Sequence, residues 1–240
     1  MTPSSERPFS FADFEQHLLK LSEDEVGYVL IGGLAVSAWG EEFLDAAEAL
    51  ELDLPIYSKD IDLRGGKAVS SLLSREVEAD GAEVRGLVTA TRKQAPHMGR
   101  VFAVQLFWRG QRTSIEVLER LPGLDISLDE PPQGTAVATE RGVSLLDPCS
   151  LFICKMHAFN TRPEHAAGND EKHLRILARV IPRFLGKVRD TALPEYDAKT
   201  DAARLLQHLD DCQAGRHPFR VPLPQPGLTE LCTDLRTHLR

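Results

Sequence analysis

The chain has 240 residues, 42% hydrophobic and 27% charged, a balance that builds a packed core and excludes a disordered, fibrous or disulfide-stapled protein. A formal net charge of -8 argues against a general electrostatic grip on nucleic acid and leaves only focal contact with a polyanion. No run reaches the roughly 20 apolar residues that cross a bilayer. Residues 1–8 lack the charged and apolar parts of a leader, and Cys149, Cys154, Cys212 and Cys232 form no CxxC pair, so a cytoplasmic chain with reduced thiols is expected.

In chain order, Phe11, Phe14, Leu18 and Leu21 recur at helical spacing and predict an amphipathic helix over 9–21 that covers one side of a sheet. Residues 26–31 predict a short buried strand, and Gly32-Gly33 then opens a helix through Trp39. The acid- and alanine-rich residues 41–52 predict a continuation of that helix until Pro55 stops it. A strand is expected over 56–63, broken by Gly65-Gly66, and Val69, Leu72, Leu73 and Val77 predict a helix over 67–78. A strand over 82–90 leads into the polar loop 91–100, whose Arg92, Lys93 and Arg100 suit a polyanion. Residues 101–108 and 113–118 read as a hairpin around Arg109-Gly110. After turn-rich residues 121–134 comes a brief strand over 135–139.

Helical periods then dominate. Asp147 is a natural N-cap with Pro148 in the first turn of a helix through Phe159. Residues 171–184 predict another helix, its last turn weakened by Pro182, and 200–212 a further one. The prolines of 217–227 exclude a long helix there, and a short one is expected over 228–239. The expected division is a sheet domain over 1–142 and a helical domain over 143–240. A zinc site from Cys149, Cys154 and His157 can be drawn, but in this apolar stretch the cysteines read better as small buried hydrophobes.

Chemistry concentrates in Asp60-Ile61-Asp62-Leu63. Strand alternation turns Asp60 and Asp62 to one face and Ile61 and Leu63 to the core. Glu116, between Ile115 and Val117, repeats the pattern on another strand. Three carboxylates on one face repel each other unless a cation neutralises them, and a hard divalent ion with oxygen ligands, Mg²⁺, is the expected cofactor. Gly32 and Gly33 let backbone approach a ligand, and the free N–H groups of a helix start favour phosphate.

Over about residues 26–118, this order of glycine turn, paired aspartates and hairpin acid resembles the polymerase-beta-like nucleotidyltransferase superfamily. Within it the chain looks most like the minimal nucleotidyltransferase toxins of type IV toxin–antitoxin systems of the abortive-infection E kind. Ile31-Gly32-Gly33-Leu34-Ala35 resembles their first motif and Lys59-Asp60-Ile61-Asp62-Leu63 their second. Residues 151–158 resemble a third, in which a lysine, here Lys155, reaches nucleotide phosphates. In the fourth the chain reads Asn169-Asp170-Glu171-Lys172-His173-Leu174, with His173 where the family carries an aspartate and Asp170 as its candidate substitute. Residues 41–55 are an insertion relative to that pattern.

The resemblance implies an α/β (α+β) fold, a mixed sheet flanked by helices with a C-terminal helical domain. It implies an enzyme that moves a nucleoside monophosphate from an NTP to a hydroxyl of RNA, such as tRNA, or of protein, with an antitoxin as a further partner. Asp60, Asp62 and Glu116 would hold two Mg²⁺ ions, and Gly32, Gly33, Ser58, Lys59 and Lys155 the nucleotide. Rival readings are a small-molecule, aminoglycoside-type transferase and a binding module without turnover. Individual residues also have structural readings: Glu116 as an exposed acid opposite Arg109 or Arg112, Lys155 as a lysine snorkelling from an apolar helix, and Asp170 as a helix-start acid.

Overall fold

Ile61, Leu63, Ile115 and Val117 have no exposed surface, and the sheet is built around the two strands that carry them. A computed structural model describes residues 9–24, 26–90, 101–118, 121, 124, 136–161, 169–191, 198–213 and 226–239. Among these the strands are β1 (Val29–Leu30), β2 (Asp60–Arg64), β3 (Glu83–Ala90), β4 (Val101–Trp108), β5 (Gln111–Leu118), β6 (Ala136–Ala138) and β7 (Ser144–Leu146). They form one mixed sheet in the order β3-β4-β5-β2-β1-β7-β6. The helices are α1 (Phe11–Glu23), α2 (Gly32–Phe43), α3 (Ala46–Glu51), α4 (Lys67–Ala79), α5 (Pro148–Thr161), α6 (Asn169–Thr191), α7 (Ala198–Gln213) and α8 (Pro226–Leu239). The fold is α/β, as expected.

Ser10 starts α1: its backbone N–H and hydroxyl both donate to Asp13 Oδ2 at 2.8 Å. The buried stripe Phe11, Phe14, Leu18 and Leu21 then faces the sheet, where Phe14 packs on Trp108 with ring centroids 5.1 Å apart. Helices α1 and α4 thus cover the face to which Ile61, Leu63, Ile115 and Val117 point, while the alternate residues of β2 and β5 face away.

Several expectations are corrected. The strand expected over 26–31 is ordered as a ladder only at Val29 and Leu30, because Ile31 is the N-cap of α2. The helix expected to continue from Glu41 breaks at Leu44, whose extended backbone (ψ 143°) ends α2; Asp45 then caps α3, accepting from Ala47 N and Glu48 N at 2.9 Å. Strand β2 begins at Asp60 instead of Ile56 and runs through Arg64. Strand β5 forms the expected hairpin with β4 but also pairs parallel with β2, in the middle of the sheet. Helix α6 runs through Pro182, held beyond it by buried Phe184 and Val188. Strand β7 pairs parallel with β1 in the same sheet although it lies after residue 143.

One apolar core is continuous from Phe9 to Leu235. Trp39 ties its parts together. Its Nε1 donates to Leu146 O at 2.7 Å and its ring meets Phe184 edge-on at 5.2 Å, locking α2 to β7 and α6. Removing such a buried aromatic typically costs about 3–5 kcal/mol. The loop 91–100, with Arg92, Lys93 and Arg100, and most of 121–134 lie outside the described residues. Cys149 and Cys232 are buried, and burial pushes the Cys154 thiol up to about 12. Among the described residues no helix is long and apolar enough to cross a membrane.

Candidate active site

The parallel pairing of β2 with β5 places Asp60 opposite Ser114 and Asp62 opposite Glu116. Partners in a parallel ladder project to the same side, so the three acids share one face with Ser114 between them. Asp60 is exposed and Asp62 and Glu116 half-buried, in contrast to the fully buried Ile61 and Ile115. Ser114 Oγ donates to Asp60 Oδ1 at 2.6 Å and orients that carboxylate. The preceding backbone is clamped as well: Lys59 O accepts from Thr113 Oγ1 at 2.5 Å and from Ser114 N at 3.2 Å. Ser58 Oγ accepts from Asp60 N at 3.2 Å, and the Lys59 side chain is exposed.

Asp62 also backs the glycine turn. Gly32 has φ +72°, a left-handed conformation that glycine adopts without strain, and a Cβ there would collide with the Asp62 carboxylate and stand 2.8 Å from Asp62 Cβ. Ile31 N donates to Asp62 O at 2.9 Å, fixing the turn to β2. The start of α2 has no side-chain cap and no acid in its first turn, so no side chain of its own occupies its leading N–H groups. Arg64, next along the same face after Asp62, is a buried cation, its pKa lowered by burial.

The helical segment reaches this turn through α6. The edge of the His173 ring lies against Gly33, and Asp170 Oδ1 lies 3.5 Å from His173 Nδ1 and accepts from Lys155 Nζ at 3.2 Å. Burial works to raise the Asp170 carboxyl, but His173 and Lys155 outweigh it and hold the pKa below the ordinary value. Lys155 is engaged with Asp170 inside a mostly buried contact.

Residues 41–55 are held against α6 by ion pairs. Arg179 grips Glu51, Arg183 grips Glu48 and donates to Phe43 O at 2.8 Å, Lys187 bridges Glu42 and Glu140, and Lys172 donates to Asp53 O and Oδ2. A cationic stripe on α6 thereby docks α3 and the end of α2. Ser37 Oγ accepts from Ile56 N at 3.0 Å, holding the return toward β2.

Sequence reasoning passed over Ser114, although its position two residues before Glu116 puts it on the acid face by the same alternation. It passed over Arg64 for want of the same step.

Among the described residues no three His, Cys, Asp or Glu side chains close tightly enough to cage an ion. The acids form an open row. Carboxylate oxygens are the donors that Mg²⁺ takes, one or two at a time beside waters and substrate phosphates.

No protein-family model matches the chain, and no curated protein matches it in sequence. It is similar in structure to ANT(2")-Ia in complex with adenylyl-2"-tobramycin, at 16% identity over 70% of this chain and 87% of that one, with a TM-score of 0.41. It is also similar to the Megavirus polyadenylate synthase, at 12% identity over 74% of this chain and 36% of that one, with a TM-score of 0.43. A third similarity is to an antigenic nucleotidyltransferase-like protein from Paracoccidioides brasiliensis, at 14% identity over 92% of this chain and 96% of that one, with a TM-score of 0.39. At such identities and scores the likeness assigns neither family nor substrate to this chain.

Proposed function

We propose that the chain is a Mg²⁺-dependent nucleotidyltransferase that moves a nucleoside monophosphate from an NTP to an acceptor hydroxyl and releases pyrophosphate. The carrying observation is the contact of Asp62 with Gly32, which sets a strand carboxylate beside the uncapped start of α2. The N–H groups of that helix start bind the polyphosphate, and Gly32 lets it approach the backbone. Asp60, Asp62 and Glu116 would hold two Mg²⁺ ions, which when bound lower the acceptor hydroxyl's pKa and neutralise charge on the phosphates. Ser114 keeps the Asp60 carboxylate aimed, and Lys155 holds Asp170 in place at the base of the site.

The acceptor follows from the resemblance as a hydroxyl of RNA or protein, with toxin activity and an antitoxin partner. The net charge of -8 favours a second acceptor class, a small cationic hydroxyl compound. Incubating the full chain with Mg²⁺, each labelled NTP and a pooled cell extract, followed by nuclease or protease digestion, tests both. Label should transfer, its digestion pattern naming the acceptor, and folded Asp60→Ala and Asp62→Ala proteins should transfer none. Equal labelling by the variants, or none by the wild type, defeats the enzyme reading and leaves a binding module.

A further inference from the structure

The face that carries the acids extends beyond them. Strand β5 continues it from Glu116 through Ser114 to Arg112, and the antiparallel register adds their partners on β4, Ala103, Gln105 and Phe107. Gln105 and Arg112 are exposed and Phe107 half-buried, whereas the alternate residues Val104, Leu106 and Trp108 are buried on the other side. From Glu116 to Arg112 the strand advances about 14 Å. An open shelf of that length leads away from the carboxylates.

Its charge is opposite to theirs. The register of β3 with β4 skips between Val84 and Gly86, which makes Arg85 the bulged residue. Bulges re-aim side chains, and this one carries a guanidinium that lies over the Phe107 ring, 4.7 Å from its centroid. Arg85 also donates to Glu83 Oε2 at 3.1 Å, the one carboxylate on this part of the shelf among the described residues. Arg112 stands beside Phe107 on the neighbouring strand and, among the described residues, has no ion-pair partner. Arg109, three residues earlier, is by contrast paired with both Asp13 and Asp80. Around Arg109 the fold supplies carboxylates; around Arg112 it supplies an aromatic ring and an exposed amide.

We propose that this shelf binds the acceptor, and that the acceptor is the single-stranded 3′ end of an RNA. The assignment rests on the nucleotidyl-transfer reading and deepens it. The terminal hydroxyl sits at Asp60, Asp62 and Glu116, and the preceding nucleotides run along β5. A base stacks on the Phe107 ring and the Arg85 guanidinium plane, a phosphate meets Arg112, and Gln105 offers a donor and an acceptor to a base edge. Aromatic and arginine planes grip bases only where these are unstacked, which selects a single strand over a duplex. The net charge of -8 keeps such contact focal, while the two arginines oppose a cationic acceptor at this spot.

Binding and transfer on the full chain test the shelf. The binding probe is a short single-stranded RNA with a 5′ fluorescein and a free 3′ hydroxyl, read by anisotropy over a range of salt concentrations, with the same RNA annealed into a blunt duplex as comparison. The wild type should bind the single strand more tightly than the duplex. Phe107→Leu, which keeps an apolar side chain and removes the π-face, should weaken binding roughly 5-fold or more, and Phe107→Tyr should retain it. Arg112→Ala should make the slope of log affinity against log salt shallower by about 0.7. Arg75→Ala, which removes the same charge from an exposed position on α4, should leave that slope unchanged. In labelled transfer to the RNA, Phe107→Leu and Arg112→Ala should raise the KM for RNA and leave the KM for NTP as it is. Equal binding of duplex and single strand, wild-type binding by Phe107→Leu, or a wild-type salt slope in Arg112→Ala overturns the assignment. Label that reaches protein or a small cationic compound and never RNA also overturns it, with nucleotidyl transfer left standing. A wild type that labels nothing removes the transfer reading and the acceptor assignment together.

Discussion

Asp62 occupies the space that any side chain on Gly32 would need. One contact thus couples the conformation of the glycine turn to the placement of a strand acid. The turn cannot change its residue without moving the carboxylate.

Gly32→Ala should therefore cost twice, roughly 1–2 kcal/mol for a left-handed alanine and more for displacing Asp62. Gly186, inside α6 with open space where a Cβ would go, is the contrast. Gly186→Ala should stabilise by about 0.5–1 kcal/mol through helix propensity. Thermal unfolding of both variants, with nucleotide binding measured alongside, separates the two: only Gly32→Ala should lose the ligand.

Ser114→Ala removes the 2.6 Å hydrogen bond to Asp60 and leaves the β2–β5 ladder in place. Partners that orient metal-binding carboxylates typically contribute 10–100-fold in metal affinity. Titration with Mn²⁺ in the presence of nucleotide should show a weakening of that order with little change in melting temperature.

Asp147 predicts a pH dependence of stability. Complete burial, then the nearby Asp201 charge, raise its carboxyl to about 7, against opposition from Ser150 and Arg204. A raised folded-state pKa contributes stability that is full below the reference value of 3.8 and is lost as pH climbs to about 7. Asn caps helices as well as Asp does, and Ser150 N donates to Asp147 Oδ1 at 2.9 Å. Asp147→Asn should flatten the fall in melting temperature between pH 4 and 7 and be the more stable protein at pH 8.

The α6 ladder has the opposite sign. Hydrogen bonds from Arg183, Arg179, Lys172 and Lys187 hold Glu48, Glu51, Asp53 and Glu140 below their ordinary pKa values. Their contribution is present above the ordinary carboxylate range and is lost as pH falls through the depressed values. Arg183→Glu should lower the melting temperature, more at low salt than at 1 M, and the double exchange with Glu48→Arg should restore most of it.

The faces of β2 and β5 were legible because alternation between Ile61 or Ile115 and the neighbouring acids is a local signal. The parallel pairing of those strands was not, since the Arg109-Gly110 turn announces only the local partner of β5, and its second neighbour lies 54 residues earlier. Residues 41–52 read as helix by composition, but Asp45 offers a second N-cap that outcompetes continuation once Arg183 and Arg179 bind the new helix's acids. Those partners are 128 to 135 residues away and leave no periodic trace. Pro182 weakened a prediction that tertiary packing of Phe184 and Val188 reversed.

In the proposed reaction Asp62, Glu116 and Asp60 share a metal-bound nucleotide with the turn at Gly32. Electron paramagnetic titration of Mn²⁺ with and without an α,β-methylene NTP analogue, in wild type and Asp62→Asn, tests this directly. The wild type should bind Mn²⁺ far more tightly when the analogue is present, and Asp62→Asn should lose that gain. Identical titrations for the two proteins, or a wild type indifferent to the analogue, would contradict it.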